Sequence, residues 1–361
     1  MLYHLLFPLA DRIAAFNVFR YLTFRGAGAI VTALLVALAL GPWFIRTLRR
    51  LSVGQNIREV GPAQHHIKAG TPTMGGLLVL LAVAVSTLLW ANLLNPYVWV
   101  ALGVTVAFGA VGFADDYLKV RRRHNLGLTA RTKFTLQILA AALAAVALLG
   151  LPEPYEFRPT VAFPFFKEAV LSLGFAYVPF VVLVLVGASN AVNLTDGLDG
   201  LAIGVTLVAA STYAVFTYVA GNRIVAGYLQ VEYVSGVGEV AVFCAALVGA
   251  SLGFLWFNAH PAEVFMGDVG SLSIGAAIGV VAVLAKQEIV LMLVGGIFVL
   301  EALSVILQVA SFKLTGRRVL RMAPLHHHFE LAGWAEPKII VRFWILAILC
   351  ALIGLSTLKL R

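Results

Sequence analysis

Residues 238–285 read GEVAVFCAALVGASLGFLWFNAHPAEVFMGDVGSLSIGAAIGVVAVLA. Two apolar runs, 238–257 and 267–285, flank a short polar segment that contains Asn258, His260 and Glu263. A helix needs roughly 20 apolar residues to cross a bilayer core about 30 Å thick, and each run has about this length. The stretch therefore predicts two membrane-spanning helices joined by a polar turn at one membrane face.

Apolar runs of this length recur along the whole chain. Of its 361 residues, 61% are hydrophobic and only 12% are charged, whereas a soluble domain typically has about 25% charged residues. These charges are too few to cover a soluble globule, so we predict an all-α integral membrane protein with about ten transmembrane helices in a single polytopic domain, 1–361. The predicted spans are 22–45, 73–93, 97–116, 133–151, 172–191, 199–220, 238–257, 267–285, 288–312 and 338–358.

The Lys and Arg residues predict how these spans are oriented. They cluster in three segments, which follow the first, third and ninth spans and therefore share one side of the membrane. Short loops rich in Lys and Arg remain in the cytoplasm, so we predict that this side is cytoplasmic and that both termini are periplasmic. The clustered residues are Arg46, Arg49, Arg50, Arg58 and Lys68, then Lys119, Arg121, Arg122, Arg123, Arg131 and Lys133, and finally Lys313, Arg317, Arg318, Arg321 and Lys338.

Prolines interrupt one connection on the opposite side. Pro152, Pro154, Pro159 and Pro164 predict a short hairpin-like excursion near 152–171 on the periplasmic surface. The formal net charge of +9 is explained by topology and by anionic lipid headgroups. No nucleic acid is therefore expected as a partner.

A pair of adjacent carboxylates ends the third predicted span, in the sequence GFADDY at 112–117. Asp115 and Asp116 repel each other unless a cation lies near them, and a carboxylate at a helix C-terminus also opposes the helix dipole. Mg²⁺ takes oxygen ligands and keeps sites for water and phosphate. The pair therefore predicts a Mg²⁺ site, with an ordinary solvated helix end as the alternative.

Two further acidic motifs fall at the same predicted membrane face. The segment 190–200, NAVNLTDGLDG, separates Asp196 and Asp199 by three residues, so a helix starting there would present both on one face. The segment 258–271, NAHPAEVFMGDVGS, places Asp268 at the start of span eight. Each motif alone could be a plain helix cap. Three acidic motifs at one face favour a shared site for a metal ion and phosphates.

Polar residues in the last third of the chain extend this prediction. Three successive histidines in PLHHHFE, 324–330, cannot all point at one metal, so they are predicted to contact phosphate or to orient a base, with a zinc site as the alternative. On span nine, Glu301, Ser304, Gln308 and Ser311 recur at helical spacing. We expect Glu301 to form hydrogen bonds between helices, and Gln308 and Ser311 to line the site.

Together these motifs resemble the polyprenyl-phosphate N-acetylhexosamine-1-phosphate transferase superfamily. The aspartate pair and NLTDGLDG at 193–200 are typical of the superfamily, whereas KAGTPTMGG at 68–76 and PLHHHFE at 324–330 resemble its phospho-N-acetylmuramoyl-pentapeptide transferase branch. The resemblance covers essentially the whole chain. It implies transfer of phospho-MurNAc-pentapeptide from UDP-MurNAc-pentapeptide to undecaprenyl phosphate, which gives UMP and lipid I for peptidoglycan synthesis. It also implies Mg²⁺, a homodimer and a bacterial inner membrane with the active site on the cytoplasmic face.

The resemblance further implies roles for single residues. Asp115 is expected to accept the proton of the lipid phosphate, Asp116 to place metal or phosphate, and Asp268 to bind Mg²⁺. Phe265 is expected to stack on uracil. The histidines expected to act in catalysis are His326, His327 and His328. The residues expected to bind substrate are Lys68, Thr73, Lys119, Lys133, Asn193, Asp196, Gly197, Leu198, Asp199, Asn258, Phe265 and Gln308.

The sequence is compatible with several alternatives. The lipid phosphate attacks directly, or Asp268 first forms a phosphoryl-enzyme; direct attack is favoured because a carboxylate that holds Mg²⁺ is a poorer nucleophile. A transferase that uses UDP-N-acetylglucosamine is the nearest rival, and the 324–330 segment argues against it. A transporter is the rival of another class. Transporters often place binding residues on broken helices near the bilayer midplane, whereas these acidic motifs lie at span ends.

Overall fold

The computed structural model describes residues 1–51, 70–122, 127–166 and 169–359. Within these ranges, nine helices are long and apolar enough to cross a membrane, which confirms the predicted multi-pass helical fold. The helices and strands are α1 (Leu2–Leu6), α2 (Leu22–Arg50), α3 (Gly76–Trp90), α4 (Pro96–Arg122), α5 (Ala130–Leu149), β1 (Thr160–Ala162), β2 (Val170–Ser172), α6 (Tyr177–Thr195), α7 (Leu201–Ala220), α8 (Arg223–Leu229), α9 (Val240–Asn258), α10 (Gly267–Leu284), α11 (Leu291–Val294), α12 (Gly296–Thr315), α13 (Leu325–Leu331) and α14 (Glu336–Ser356). Short 3-10 turns lie at Phe7–Leu9, Ala14–Arg20, Gly174–Ala176 and Val237–Glu239.

The helix of the second predicted span, 73–93, is shorter than expected. Helix α3 has 15 residues, which corresponds to about 22 Å at 1.5 Å per residue. It starts late because the residues before it pair with a distant segment. Phe265 donates its backbone N–H to Pro72 O at 2.8 Å, and Gly75 donates to Phe265 O at 2.8 Å. This pairing ties the 70–76 segment to the polar turn that precedes α10.

Helices α2 and α9 run parallel and in close contact. At their starts, Arg25 forms a bidentate ion pair with Glu239, with N···O distances of 2.7 and 2.5 Å. Near their ends, a Cβ built on Gly41 would lie 2.3 Å from the ring of Phe257. Because α2 continues past Gly41 to Arg50, its basic end lies at the same end of the bundle as the end of α9, where the third acidic motif begins.

Helix α10 lies at the centre of the bundle. Its residues from Val269 to Leu284 are all buried, which is why its sequence is apolar on every side. It packs antiparallel to α4 and α6, and Ser189 Oγ on α6 donates a hydrogen bond to Leu272 O at 3.0 Å. Because α4 and α6 end where α10 begins, all three acidic motifs come to the same end of the bundle.

A small antiparallel sheet covers the opposite end. Strands β1 and β2 pair with Thr160 opposite Ser172, which confirms the hairpin predicted near 152–171. Lys286 holds this hairpin against the bundle: its Nζ donates to Thr160 O at 3.2 Å and also contacts Arg158 O.

The predicted start of the ninth span, at residue 288, is wrong. Helix α12 begins at Gly296, because the residues that follow α10 form a buried polar loop. Tyr177 Oη donates to Glu288 Oε1 at 2.5 Å. Burial lowers the pKa of Lys286 to about 8 and raises the pKa of Glu288 to about 7. Apolar residues on both sides of this loop made it look like part of a span.

Candidate functional site

Three aspartates lie together at the end of the bundle where the acidic motifs meet. Asp115 and Asp116 are on α4, where both are buried, and Asp268 is the second residue of α10. One oxygen from each of the three carboxylates lies within 4.8 Å of the others. The structure therefore brings together the residues that the sequence predicted as metal ligands.

The aspartate pair does not end its helix, as the predicted span 97–116 implied. Helix α4 continues to Arg122, so both carboxylates precede its end by more than a turn. Lys119 makes this extension favourable: its Nζ lies 2.6 Å from Asp115 Oδ2 and 3.6 Å from Asp116 Oδ1. Opposite charges three and four residues apart stabilise a helix, which lets α4 carry charges beyond its apolar part.

Two lysines and an amide surround Asp268. Lys119 Nζ and Lys133 Nζ lie 2.9 and 2.8 Å from Asp268 Oδ2. Asn193 Nδ2 donates to Asp268 Oδ1 at 2.8 Å and to Ser271 Oγ at 2.8 Å. The lysines were predicted to hold phosphates; in the structure they contact the aspartates, so two ammonium groups balance most of the charge of three carboxylates.

Glycines allow the backbones to approach closely enough to form this cluster. A Cβ on Gly112 would lie 2.3 Å from Asp268 O, on the backbone of α10. Gly267 has a φ of +74°, and a Cβ there would lie 2.6 Å from Asp116 Oδ2 and 2.9 Å from Thr73 Oγ1. Thr73, predicted to lie near the phosphates, therefore borders the aspartates.

The segment between α6 and α7 is a turn, not the helix start that the spacing of Asp196 and Asp199 suggested. Helix α6 ends at Thr195 and α7 begins at Leu201, and Gly200 between them has a φ of +77°. Glycine adopts this left-handed conformation easily and weakens a helix. The two carboxylates therefore do not share a helical face, and that expectation is wrong.

Asp196 belongs electrostatically to the aspartate cluster. Burial, followed by the nearby charges of Asp268 and Asp116, raises the pKa of Asp196 to about 8. Such a shift is expected where several carboxylates share a site that holds too little positive charge. A cation bound at the cluster would lower this pKa again.

Asp199 belongs to a second, adjacent network. Its Oδ2 lies 3.2 Å from His260 Nδ1 and accepts a hydrogen bond from Ala262 N at 3.1 Å. Its backbone N–H donates to Glu336 Oε1 at 3.0 Å, and Glu336 Oε2 lies 3.6 Å from His260 Nδ1. These contacts join the turn, the segment before α10 and the start of α14.

Three predicted nucleotide contacts form the wall beside this network. Asn258 Oδ1 accepts from Gly200 N at 3.0 Å, and Asn258 Nδ2 donates to Val264 O at 2.8 Å. Leu198 is buried, whereas Phe265 is partly exposed next to the 70–76 segment. Asn258 therefore fixes two segments, and Phe265 remains accessible for stacking.

The three histidines lie on the short helix α13 and have different partners. This agrees with the expectation that neighbouring residues on a regular element cannot share one metal. Only His326 is fully buried. The contacts are His326 Nδ1 to Glu301 Oε1 at 3.2 Å, His327 Nδ1 to Glu330 Oε2 at 2.6 Å, and Arg321 N to His328 Nδ1 at 3.2 Å.

Gln308, a predicted substrate contact, binds a loop and not the aspartates. Gln308 uses its side chain to hold the loop after α12: Oε1 accepts from Val319 N and Leu320 N at 3.0 and 2.9 Å, and Nε2 donates to Leu320 O at 3.0 Å. Lys68 lies outside the described residues.

Sequence reasoning missed three residues of the site: His260, Ser271 and Glu336. Glu336 supports Asp199, but it precedes the predicted span 338–358 and belongs to none of the three acidic motifs. Ser271 accepts a hydrogen bond from the Asn193 side chain, which also binds Asp268. A single serine in an apolar span does not by itself indicate a functional site.

The donor set of the aspartate cluster fits a hard divalent cation. It offers carboxylate oxygens, with no thiolate and no imidazole among the three residues, and Mg²⁺ prefers oxygen ligands together with water and substrate phosphates. Lys119, Lys133 and Thr73 lie beside the carboxylates and provide donors for phosphate oxygens. The arrangement is therefore suited to binding a diphosphate next to a metal ion.

Comparisons with known proteins agree with this chemistry. The family model described as glycosyl transferase family 4 matches residues 98–286, and the phospho-N-acetylmuramoyl-pentapeptide-transferase signature 1 matches residues 68–80. Curated proteins named phospho-N-acetylmuramoyl-pentapeptide-transferase are similar over 100% of both chains: the protein of Geobacter sp. (strain M21) is 58% identical, that of Nitratidesulfovibrio vulgaris (strain DP4) 60%, and that of Syntrophus aciditrophicus (strain SB) 56%. With the aspartate cluster inside the matched region and this identity along its whole length, the chain belongs to the phospho-N-acetylmuramoyl-pentapeptide-transferase family.

Proposed function

We propose that this protein transfers phospho-MurNAc-pentapeptide from UDP-MurNAc-pentapeptide to undecaprenyl phosphate, giving lipid I and UMP. The observation that carries the proposal is the convergence of Asp115, Asp116 and Asp268 within 4.8 Å at the end of a membrane bundle. A site of this kind can bind a water-soluble nucleotide sugar and a membrane-bound lipid phosphate together, because it lies where both can reach it.

The reaction requires one phosphate to attack another. An oxygen of the lipid phosphate bonds to the phosphorus that carries MurNAc, and the bond from that phosphorus to UMP breaks. Mg²⁺ held by the three aspartates would neutralise the diphosphate and stabilise the charge on the leaving UMP. Asp115, whose Oδ1 is fixed by a 2.7 Å hydrogen bond from Leu128 N, is the residue that we assign to take the proton of the lipid phosphate.

The lysines perform a second task in this proposal. Lys119 and Lys133 reach Asp268 from two different helices, α4 and α5. When the substrate phosphates bind, the ammonium groups of the two lysines neutralise negative charge on both sides of the forming bond, which stabilises the transition state. Asn193 keeps Asp268 in place through Oδ1, so that its other oxygen faces this region.

An apolar groove supplies a route for the lipid. A cavity of about 530 Å³ opens between α5, α6 and α12. Along α6 it extends from Pro179 to Leu194, about 22 Å at 1.5 Å per residue. At one end it includes Phe134, the neighbour of Lys133. A polyprenyl chain lying in this groove would hold its phosphate near the aspartates.

The basic helix ends favour a cytoplasmic site. The end of α2 carries Arg46, Arg49 and Arg50, and the packing of Gly41 on Phe257 places it at the same end of the bundle as the aspartates. Because positive loops remain in the cytoplasm, we propose that this end faces the cytoplasm of a bacterial inner membrane and that both termini are periplasmic. We also propose a homodimer, which crosslinking in native membranes would test.

A UMP-release assay tests the proposal. Purified protein is incubated with Mg²⁺, undecaprenyl phosphate and UDP-MurNAc-pentapeptide, in parallel with UDP-N-acetylglucosamine. We expect UMP and a lipid-linked product from the first nucleotide only. UMP from UDP-N-acetylglucosamine alone would support the rival transferase, and nucleotide or lipid movement across vesicles without UMP would support a transporter.

A further inference from the structure

Glu301 and His326 form a buried pair to which the transfer reaction assigns no task. Their side chains are 1% and 0% exposed. The 3.2 Å contact between Glu301 Oε1 and His326 Nδ1 lacks hydrogen-bond geometry, and among the described residues neither ring nitrogen of His326 has a hydrogen-bond partner. Buried polar atoms without partners are uncommon, so packing alone does not explain this imidazole.

The other side of the imidazole meets the turn between α6 and α7. A Cβ built on Gly197 would lie 2.2 Å from His326 Nε2 and 2.9 Å from Cε1. The ring therefore occupies the space that any larger residue at 197 would need. Asp196 and Leu198 flank this contact in sequence, so the imidazole supports the segment that carries the predicted nucleotide contacts.

Glu301 is fixed independently of the histidine ring. Its Oε2 accepts from Leu325 N at 2.6 Å, and its Oε1 accepts from His326 N at 3.2 Å. The carboxylate thus joins α12 to the start of α13, as expected for a hydrogen bond between helices. It also places a buried carboxylate oxygen 3.2 Å from Nδ1 of the ring.

We propose that Glu301 is a positioning residue that holds the His326 imidazole against Gly197, and that His326 in turn fixes the 196–199 turn for nucleotide binding. His326 then acts through the turn and does not contact the reacting phosphates, unlike the catalytic role expected from the resemblance. This inference rests on the proposed function, in which the turn binds the uridine nucleotide.

Kinetics of three full-length variants test the proposal: Glu301→Gln, His326→Gln and the double variant. We expect each single variant to raise KM for UDP-MurNAc-pentapeptide about tenfold while kcat stays within about threefold, the size of one charge-assisted contact. If Glu301 acts through His326, the double variant is no worse than either single variant. Additive losses would show that Glu301 only caps α13, and a fall in kcat without a change in KM would show that His326 contacts the reacting groups. Either result would overturn the proposal.

Binding of UMP provides a second readout that does not depend on turnover. The same variants should weaken UMP binding by about tenfold, and Gly197→Ala should do the same because its Cβ displaces the imidazole. Glu288→Gln is the matched control, since Glu288 is equally buried at the opposite end of the bundle. Unchanged UMP binding in Glu301→Gln and Gly197→Ala would refute the inference, whereas absence of UMP release by the wild-type protein would refute the proposed function instead.

Discussion

Replacing Gly112 with alanine should separate the helices that form the aspartate cluster. The new Cβ would lie 2.3 Å from Asp268 O and 2.6 Å from Val269 Cα, both on the backbone of α10. Because ordinary van der Waals contact begins near 3.4 Å, α4 and α10 must move apart by about 1 Å. A displacement of catalytic groups by about 1 Å lowers the reaction rate about 100-fold, which corresponds to about 2.7 kcal/mol in the activation free energy. We expect kcat/KM for UMP release to fall by about this factor.

Gly103→Ala is the matched control on the same helix. A Cβ there meets nothing within 4 Å, so this variant should keep wild-type activity. Its free energy of unfolding should rise by at most about 1 kcal/mol, because alanine favours a helix more than glycine does. Thermal unfolding in detergent should show that Gly112→Ala is still folded, with a loss of about 1–3 kcal/mol from overpacking. Full activity in folded Gly112→Ala would refute the reasoning that close approach of α4 and α10 sets the geometry of the site.

Three further predictions follow from single features of the structure. Asp268→Asn should lower kcat by at least about 100-fold while the protein remains folded; near-normal turnover would remove Asp268 from the metal site. The pKa of Asp196 is about 8 in the folded protein against an ordinary value of 3.8, so between these pH values the folded state retains a proton that the unfolded state loses. The stability of the metal-free protein should therefore fall as pH rises from about 4 to about 8. Asp196→Asn should flatten this dependence of Tm on pH, and a Tm profile identical to that of the wild type would contradict the raised pKa. Gly187→Trp should fill the apolar groove and raise KM for undecaprenyl phosphate but not for the nucleotide; equal KM values for the lipid in variant and wild type would exclude the groove as the lipid route.

Hydropathy predicted the bundle well because helices in a bilayer must satisfy their backbone hydrogen bonds internally. It failed where charged residues are buried outside helices. The loop residues from Glu288 onward looked like the start of a span, but Glu288 accepts a hydrogen bond from Tyr177 and the preceding Lys286 binds the hairpin. Partners that lie more than a hundred residues away in sequence leave no local signal.

The sequence predicted which residues form the aspartate cluster better than it predicted the helices and turns that carry them. The motifs identified Asp115, Asp116 and Asp268 as a group because ionisable residues at the ends of membrane spans are costly and tend to be functional. Their spacing did not show that α4 extends past the pair to include Lys119, since that extension depends on ion pairs with α10 as well as within α4. The spacing of Asp196 and Asp199 suggested a helix, and the glycines between and after them form a turn instead.

Direct measurement of divalent cation binding tests the central claim that three aspartates from two helices form one metal site. Electron paramagnetic resonance of Mn²⁺ with purified protein should show one bound ion per chain that Mg²⁺ displaces. We expect Asp116→Asn and Asp268→Asn to abolish this binding, and His260→Ala, in the adjacent group formed with Asp199 and Glu336, to preserve it. Binding that survives in Asp268→Asn, or that is lost in His260→Ala, would contradict the account.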